Sequence, residues 1–161
     1  MVTISRRTFL ASVVGILAAP LVADAQQPGS SGWWSGPEEL GPGVSFSVID
    51  GIPGGRQASY IRHAGSYTLH VRYPAGHTVG PHKHKSAEHV TVLSGRLLIG
   101  WGDVWDPTKL QEVPVGKFIE VPAGVVHFTA VREETVMEVK ITGVYDVEYV
   151  LDADDPRRVK P

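Results

Sequence analysis

From Val44 to Leu151 the chain is a succession of short segments, many closed by glycine or proline, several of which alternate apolar and polar residues. Val44-Ser45-Phe46-Ser47-Val48 and Tyr67-Thr68-Leu69-His70-Val71-Arg72-Tyr73 are the cleanest. A period of two places every apolar side chain on one face of an extended backbone. Ala58 to Arg62, Ala87 to Leu93, Arg96 to Trp101, Phe118 to Val121, Val125 to Val131, Thr135 to Thr142 and Asp146 to Leu151 read as further strands. Lys109 to Val113 adds a short one. Helical period is nearly absent after residue 26, and Pro37-Glu38-Glu39-Leu40 has room for one turn. Short strands joined by Gly/Pro turns predict an all-β sandwich or barrel. The counts of 18 Gly and 12 Pro fit that turn density.

At 161 residues the chain is long enough for one domain with a real core. It has no cysteine, which removes thiolate chemistry, disulfides and Cys-based zinc sites. The net charge of -2 is spread along the chain without a basic block, so no nucleic-acid surface is expected.

Histidines cluster in two stretches. Gly76 to Gly95, GHTVGPHKHKSAEHVTVLSG, contains His82, His84 and Glu88 at positions of equal parity. On extended backbone these three side chains share a face. Gly116 to His127, GKFIEVPAGVVH, adds His127 behind the turn Pro122-Ala123-Gly124. Three imidazoles and one carboxylate aimed at one point suit a borderline divalent transition metal.

In order and spacing these stretches resemble the two cupin motifs. Gly76, His82, His84, Glu88 and Gly95 match the first; Gly116, Pro122, Gly124 and His127 match the second. Val131 stands where the family pattern usually has Asn. The resemblance implies a single, RmlC-like jelly-roll β-barrel, all-β, with one metal held inside by His82, His84, Glu88 and His127. Iron or manganese is favoured, and zinc, nickel, copper and cobalt fit the same donors. Four protein ligands leave two positions open on a six-coordinate ion.

Strand parity predicts a mostly apolar pocket wall of Leu69, Val71, Tyr73, Val90, Val92, Ile99, Trp101, Phe118, Thr129 and Met137. Tyr73, Trp101, Phe118 and Met137 are the expected substrate contacts. Such a wall suits an aromatic or other largely non-polar substrate, and a dianion such as oxalate less well, since no arginine is expected inside. Arg62 and Arg72 are candidates for the rim. His89 falls on the opposite face from Glu88, His77 belongs to a loop, and His63 and His70 are structural.

The resemblance leaves three function classes: a metal-dependent enzyme of oxygenase, isomerase, lyase or decarboxylase type, a small-molecule or metal-binding protein, and a storage-type protein. The intact ligand set argues against the third. Within the first, Glu88 is the candidate catalytic group, as a proton shuttle. A homodimer through outer strands is expected by the same resemblance.

Residues 1 to 25 read as an address. Arg6 and Arg7 precede an apolar run from Phe9 to Ala23 that is broken by Pro20 and ends at the small-x-small site Ala23-Asp24-Ala25. Ser5-Arg6-Arg7-Thr8-Phe9-Leu10 is similar to a twin-arginine signal. It implies recognition by the twin-arginine export machinery, a periplasmic or secreted protein, and no membrane attachment after cleavage. Residues 26 to 43 then read as a linker in which Trp33 and Trp34 dock somewhere, residues 44 to 152 as the barrel, and residues 153 to 161 as a charged, mobile tail.

Overall fold

A computed structural model describes residues 32–50 and 65–158. The expected export signal, the turn at Ile52 to Gly55, the strand from Ala58 to Arg62 and His63 lie outside the described residues. Eleven strands are described: β1 (Trp34–Ser35), β2 (Ser45–Asp50), β3 (Gly65–Tyr73), β4 (Thr78–Lys83), β5 (Glu88–Ser94), β6 (Leu97–Trp101), β7 (Gln111–Val113), β8 (Phe118–Val121), β9 (His127–Val131), β10 (Thr135–Gly143) and β11 (Glu148–Tyr149). One sheet has the order β1-β2-β3-β10-β5-β8, the other β11-β4-β9-β6-β7. The paired strands are antiparallel. Helical structure among the described residues is confined to short 3-10 turns, one of them at Glu38–Leu40. The two sheets enclose one core, as an all-β jelly roll does.

The alternation in β3 and β10 sets the first sheet's inner face. Tyr67, Leu69, Val71 and Tyr73 are buried, and so are Thr135, Met137, Val139 and Ile141 opposite them. The register pairs Val71 with Met137 and Leu69 with Val139, so apolar side chains meet directly across the ladder. In the second sheet every residue of β9 is buried. His127, Thr129 and Val131 share one parity. The ring of Phe128, of opposite parity, packs 5.2 Å from that of Trp105. A Cβ at Gly100 would overlap the Phe128 ring, so glycine in β6 makes room for it.

The barrel's packed body extends beyond residues 44 to 152 at both ends. Ser35 and Trp34 pair with Ser45 and Phe46, and the Trp34 ring meets Phe46 edge-on at 5.7 Å. The Trp33 ring lies 4.0 Å from the Arg72 guanidinium carbon. Both tryptophans of the expected linker therefore dock on the barrel. At the other end Asp155 is buried, and its carboxylate accepts from Arg157 Nε and Nη2 at 2.7 Å each. Arg157 also sits 3.6 Å from Glu39, whose backbone oxygen accepts from the Tyr149 hydroxyl at 2.6 Å. Charged residues enter a buried position when they are paired in this way. That pairing ties residues 155 to 157 to the barrel, where composition alone suggested a mobile tail.

Candidate metal centre

The first motif is not one continuous strand. His82 lies in β4, His84 just past its end, and Glu88 opens β5 in the other sheet. The chain crosses between sheets through Lys85 to Ala87. The second motif meets the first through backbone: the Gly124 N–H donates to the His84 carbonyl at 2.8 Å. Gly124 has φ of 75°, a left-handed conformation that glycine adopts without a Cβ penalty. The turn delivers His127 at the start of β9, directly opposite His82 in the ladder.

Here His82, His84 and His127 converge, each buried, with one ligand atom apiece all within 4.8 Å of one another. Their ring centroids are 4.2 Å (His82 to His127), 4.9 Å (His82 to His84) and 5.2 Å (His84 to His127) apart. Each Nδ1 faces a backbone carbonyl: Gly80 at 2.7 Å for His82, Asp146 at 2.5 Å for His84, Val125 at 3.2 Å for His127. A carbonyl only accepts, so each Nδ1 carries the proton. That leaves each Nε2 with a free lone pair, which is how metal-binding histidines are usually oriented. The arrangement fits a divalent transition ion. The buried Glu88 lies beside the trio, with Oε2 3.6 Å from His84 Nε2.

Electrostatics favour neutral His82 and His127, the form in which an imidazole binds a metal. Burial, then the neighbouring His127 and His84, holds His82 well below the ordinary histidine value. Burial and His84 bring His127 down to about 4. Burial pushes the Glu88 carboxyl up, His84 opposes this, and Asp146 adds to it. The consequence for the metal-free protein has a definite sign. Above pH 6.5 His127 is neutral folded and unfolded, so its contribution is fully present. As pH falls from 6.5 towards 4 the unfolded chain takes up a proton that the folded chain does not, and stability is lost. For His127 alone the loss amounts to about 3 kcal/mol, and His82 adds in the same direction. Glu88, with its raised value, acts oppositely, but one carboxyl faces two imidazoles. Urea midpoints of chelator-treated protein should therefore fall between pH 6.5 and 4; a flat profile would contradict this arrangement.

The trio stands on the wall of a cavity of about 50 Å³. Tyr73, Met137, Leu69, Val71, Val90, Ile99 and Thr129 line it as the parity argument expects, while Val92 is buried in the core outside the cavity lining. Phe118 does not: it is 71% exposed. It pairs with Thr91, whereas its neighbour Ile119 pairs with the inward Val90, so β8 presents Ile119 and Val121 to the cavity. The parity of that short strand was off by one. Trp101 packs against the core with its ring 6.0 Å from His127, beside the site but outside the cavity lining. Arg72 leans on Trp33 and lies 3.9 Å from Glu134, away from the cavity. His89 is exposed, His77 stacks on Tyr73 at 4.7 Å, and His70 lies 3.6 Å from Glu138 on the outer face. Sequence reasoning missed Leu40 and Tyr145, both in the cavity wall. Leu40 lay in the supposed linker. Tyr145 sits in the loop between β10 and β11, where strand parity has no force; an aromatic residue in so short a connection was the available signal.

No protein-family model matches the chain, and no curated protein does. Solved structures do. KdgF from a Halomonas species is 13% identical with a TM-score of 0.51, over 71% of this chain and 87% of that one. An RmlC-like cupin from Shewanella frigidimarina is also 13% identical, with a TM-score of 0.50 over 70% and 86%. An oxalate oxidase is 22% identical with a TM-score of 0.50, over 73% of this chain and 60% of that one. Likeness at these identities speaks to architecture, and with the sheet order and the buried histidines it establishes that the chain has the cupin-type fold, a double-stranded β-helix carrying a three-histidine cluster.

Proposed function

We propose that the protein is a metal-dependent enzyme acting on a small organic substrate. The observation that carries this reading is the convergence of three imidazoles, each tautomer fixed by a carbonyl, on the wall of a small, mostly apolar cavity. His82, His84 and His127 would hold the ion, with Glu88 as the fourth donor. A bound transition ion supplies Lewis acidity and, if redox-active, access to dioxygen chemistry.

The chain's own residues do the rest. The apolar wall of Leu69, Val90, Ile99 and Met137 strips water from the substrate and strengthens every polar contact inside. Glu88 is buried, and its carboxyl holds a proton more readily than an exposed one, so Oε2 can take up or return a proton beside His84. The cavity narrows the substrate. A space of about 50 Å³ is below the roughly 150 Å³ that accommodates benzene, which favours a ligand of a few heavy atoms over a larger aromatic one.

The test is turnover by protein loaded in turn with iron, manganese, cobalt, nickel, copper and zinc. It is assayed for oxygen uptake and for conversion of short-chain hydroxy and oxo acids. The proposal expects turnover with at least one metal, and Glu88→Gln protein that keeps its metal but loses 10²-fold or more in rate, the usual range for a general acid or base. Metal-loaded protein that holds ligands stoichiometrically without converting any would favour the alternative, a binding protein. Export through the twin-arginine route belongs to the same proposal and is supported by residues 1 to 25 alone. Recovery of the chain solely from the cytoplasmic fraction would remove that part.

A further inference from the structure

The loop between β10 and β11 does two things at once. Its Asp146 carbonyl accepts from His84 Nδ1 and so fixes that ligand's tautomer. Its Asp146 carboxylate accepts from the Lys85 N–H at 2.9 Å, which clamps the loop to the chain following His84. The residue before it, Tyr145, is buried and puts its ring 6.4 Å from the His84 ring in the wall of the same cavity. The Tyr145 hydroxyl is buried, and among the described residues no group donates to it or accepts from it. Buried tyrosine hydroxyls nearly always have a partner. An orphaned one on a residue that lines a cavity beside metal-ligating residues is placed to meet a ligand atom.

Resting on the metal reading above, we infer that Tyr145 binds the substrate, donating a hydrogen bond to a ligand oxygen while a second oxygen of that ligand faces the histidine trio. The cavity excludes much else. Among the described residues no lysine or arginine lines it, so the ion alone offsets the ligand's charge, and a monoanion is favoured over a dianion. The small volume limits the ligand to a few heavy atoms, and the apolar wall favours an aliphatic body. The class is a short monocarboxylate or a related small oxo compound. Burial keeps the phenol well above its ordinary value, so it remains a donor.

Acetate and methanethiol test this on full-length protein loaded with cobalt(II), whose visible spectrum reports both. Acetate has a second oxygen to receive the hydrogen bond; methanethiol has none and engages the ion alone. Tyr145→Phe removes one oxygen, and Tyr145→Leu is a second variant that keeps the site apolar. Both should take up one equivalent of cobalt and bind methanethiol within about twofold of wild type. Their acetate affinity should fall about tenfold or more, the size expected for a hydrogen bond to a charged oxygen. Thermal stability of Tyr145→Phe should stay level or rise, because an unpartnered buried hydroxyl is gone. Equal acetate affinity in wild type and variants would overturn the inference, as would equal losses for both probes or a cobalt-loaded wild type blind to acetate. A wild type that takes up no cobalt would overturn the metal reading itself, and this inference with it, before any titration begins.

Discussion

Replacing His82 and His127 together by alanine is expected to lower metal affinity by roughly 10⁴-fold. Structural transition-metal sites with four protein donors bind with about 10–16 kcal/mol, so each donor is worth about 3 kcal/mol. The two residues lie opposite each other in the β4–β9 ladder with rings 4.2 Å apart, so one double substitution empties one side of the site. The fold should survive, since the hydrophobic cluster between the two sheets keeps all of its own side chains. The same variant should lose most of the acid-induced destabilisation described above, because the two imidazoles with strongly lowered values are gone. Competition titration with a chromophoric chelator measures the first effect and urea melts at pH 4 to 7 the second. Affinity within tenfold of wild type would mean that the ion is held elsewhere.

The second large effect concerns folding rather than chemistry. Gly95 closes the hairpin between β5 and β6 with φ of 77°. A Cβ there would run into the Glu134 carbonyl oxygen, at the end of the β9–β10 connection, and into Thr135, which opens β10. Thr135 cannot yield easily: it is fully buried, and its Oγ1 accepts from the Arg96 N–H at 3.0 Å and donates to the Glu133 carbonyl at 3.0 Å. Gly95→Ala therefore meets a left-handed backbone penalty of about 1–2 kcal/mol and an overpacking penalty of about 1–3 kcal/mol. The sum is a large share of a typical domain's stability, and a fall in Tm on the order of 10 °C is expected. Gly95 lies past the far end of β5 from Glu88, so the folded fraction should bind metal as wild type does. An unchanged melting curve would show that the hairpin relaxes more freely than its contacts allow.

Much of this architecture was legible before any coordinates. The period-two alternation of Tyr67 to Tyr73 and Thr135 to Thr142 reappears in the buried faces of β3 and β10. The two spaced histidine stretches identified the residues that converge. Legibility failed where local pattern and tertiary packing part company. β8 is four residues long, too short for its parity to be read without its partner, and Phe118 was assigned inward although Ile119 is the inward residue. Trp33 and Trp34 sit in a Gly/Pro/Ser context, yet burial against Phe46 and stacking on Arg72 hold them to the barrel. Asp155 and Arg157 look like solvated tail charges, and only the ion pair that Arg157 makes with Asp155, while also reaching Glu39, explains why Asp155 is buried. Tyr145 entered the site through a loop, which no periodicity describes.

The site also shows how backbone organises chemistry. None of the three Nδ1 atoms relies on a side-chain partner; each uses a carbonyl, two of them only two residues away in sequence. Local strand geometry thus fixes the His82 and His127 tautomers, and only His84 depends on the distant loop at Asp146. Flexibility in that loop would act on His84 and Tyr145 together, coupling the ligand set to the substrate contact.

X-ray absorption on protein loaded with one equivalent of iron(II) or manganese(II) tests the central claim most directly. The account predicts a single ion surrounded by three imidazole nitrogens and additional oxygen donors, with the imidazole scattering lost in the His82→Ala/His127→Ala protein. An ion with an all-oxygen shell in the wild type, or a spectrum unchanged by the double substitution, would contradict it.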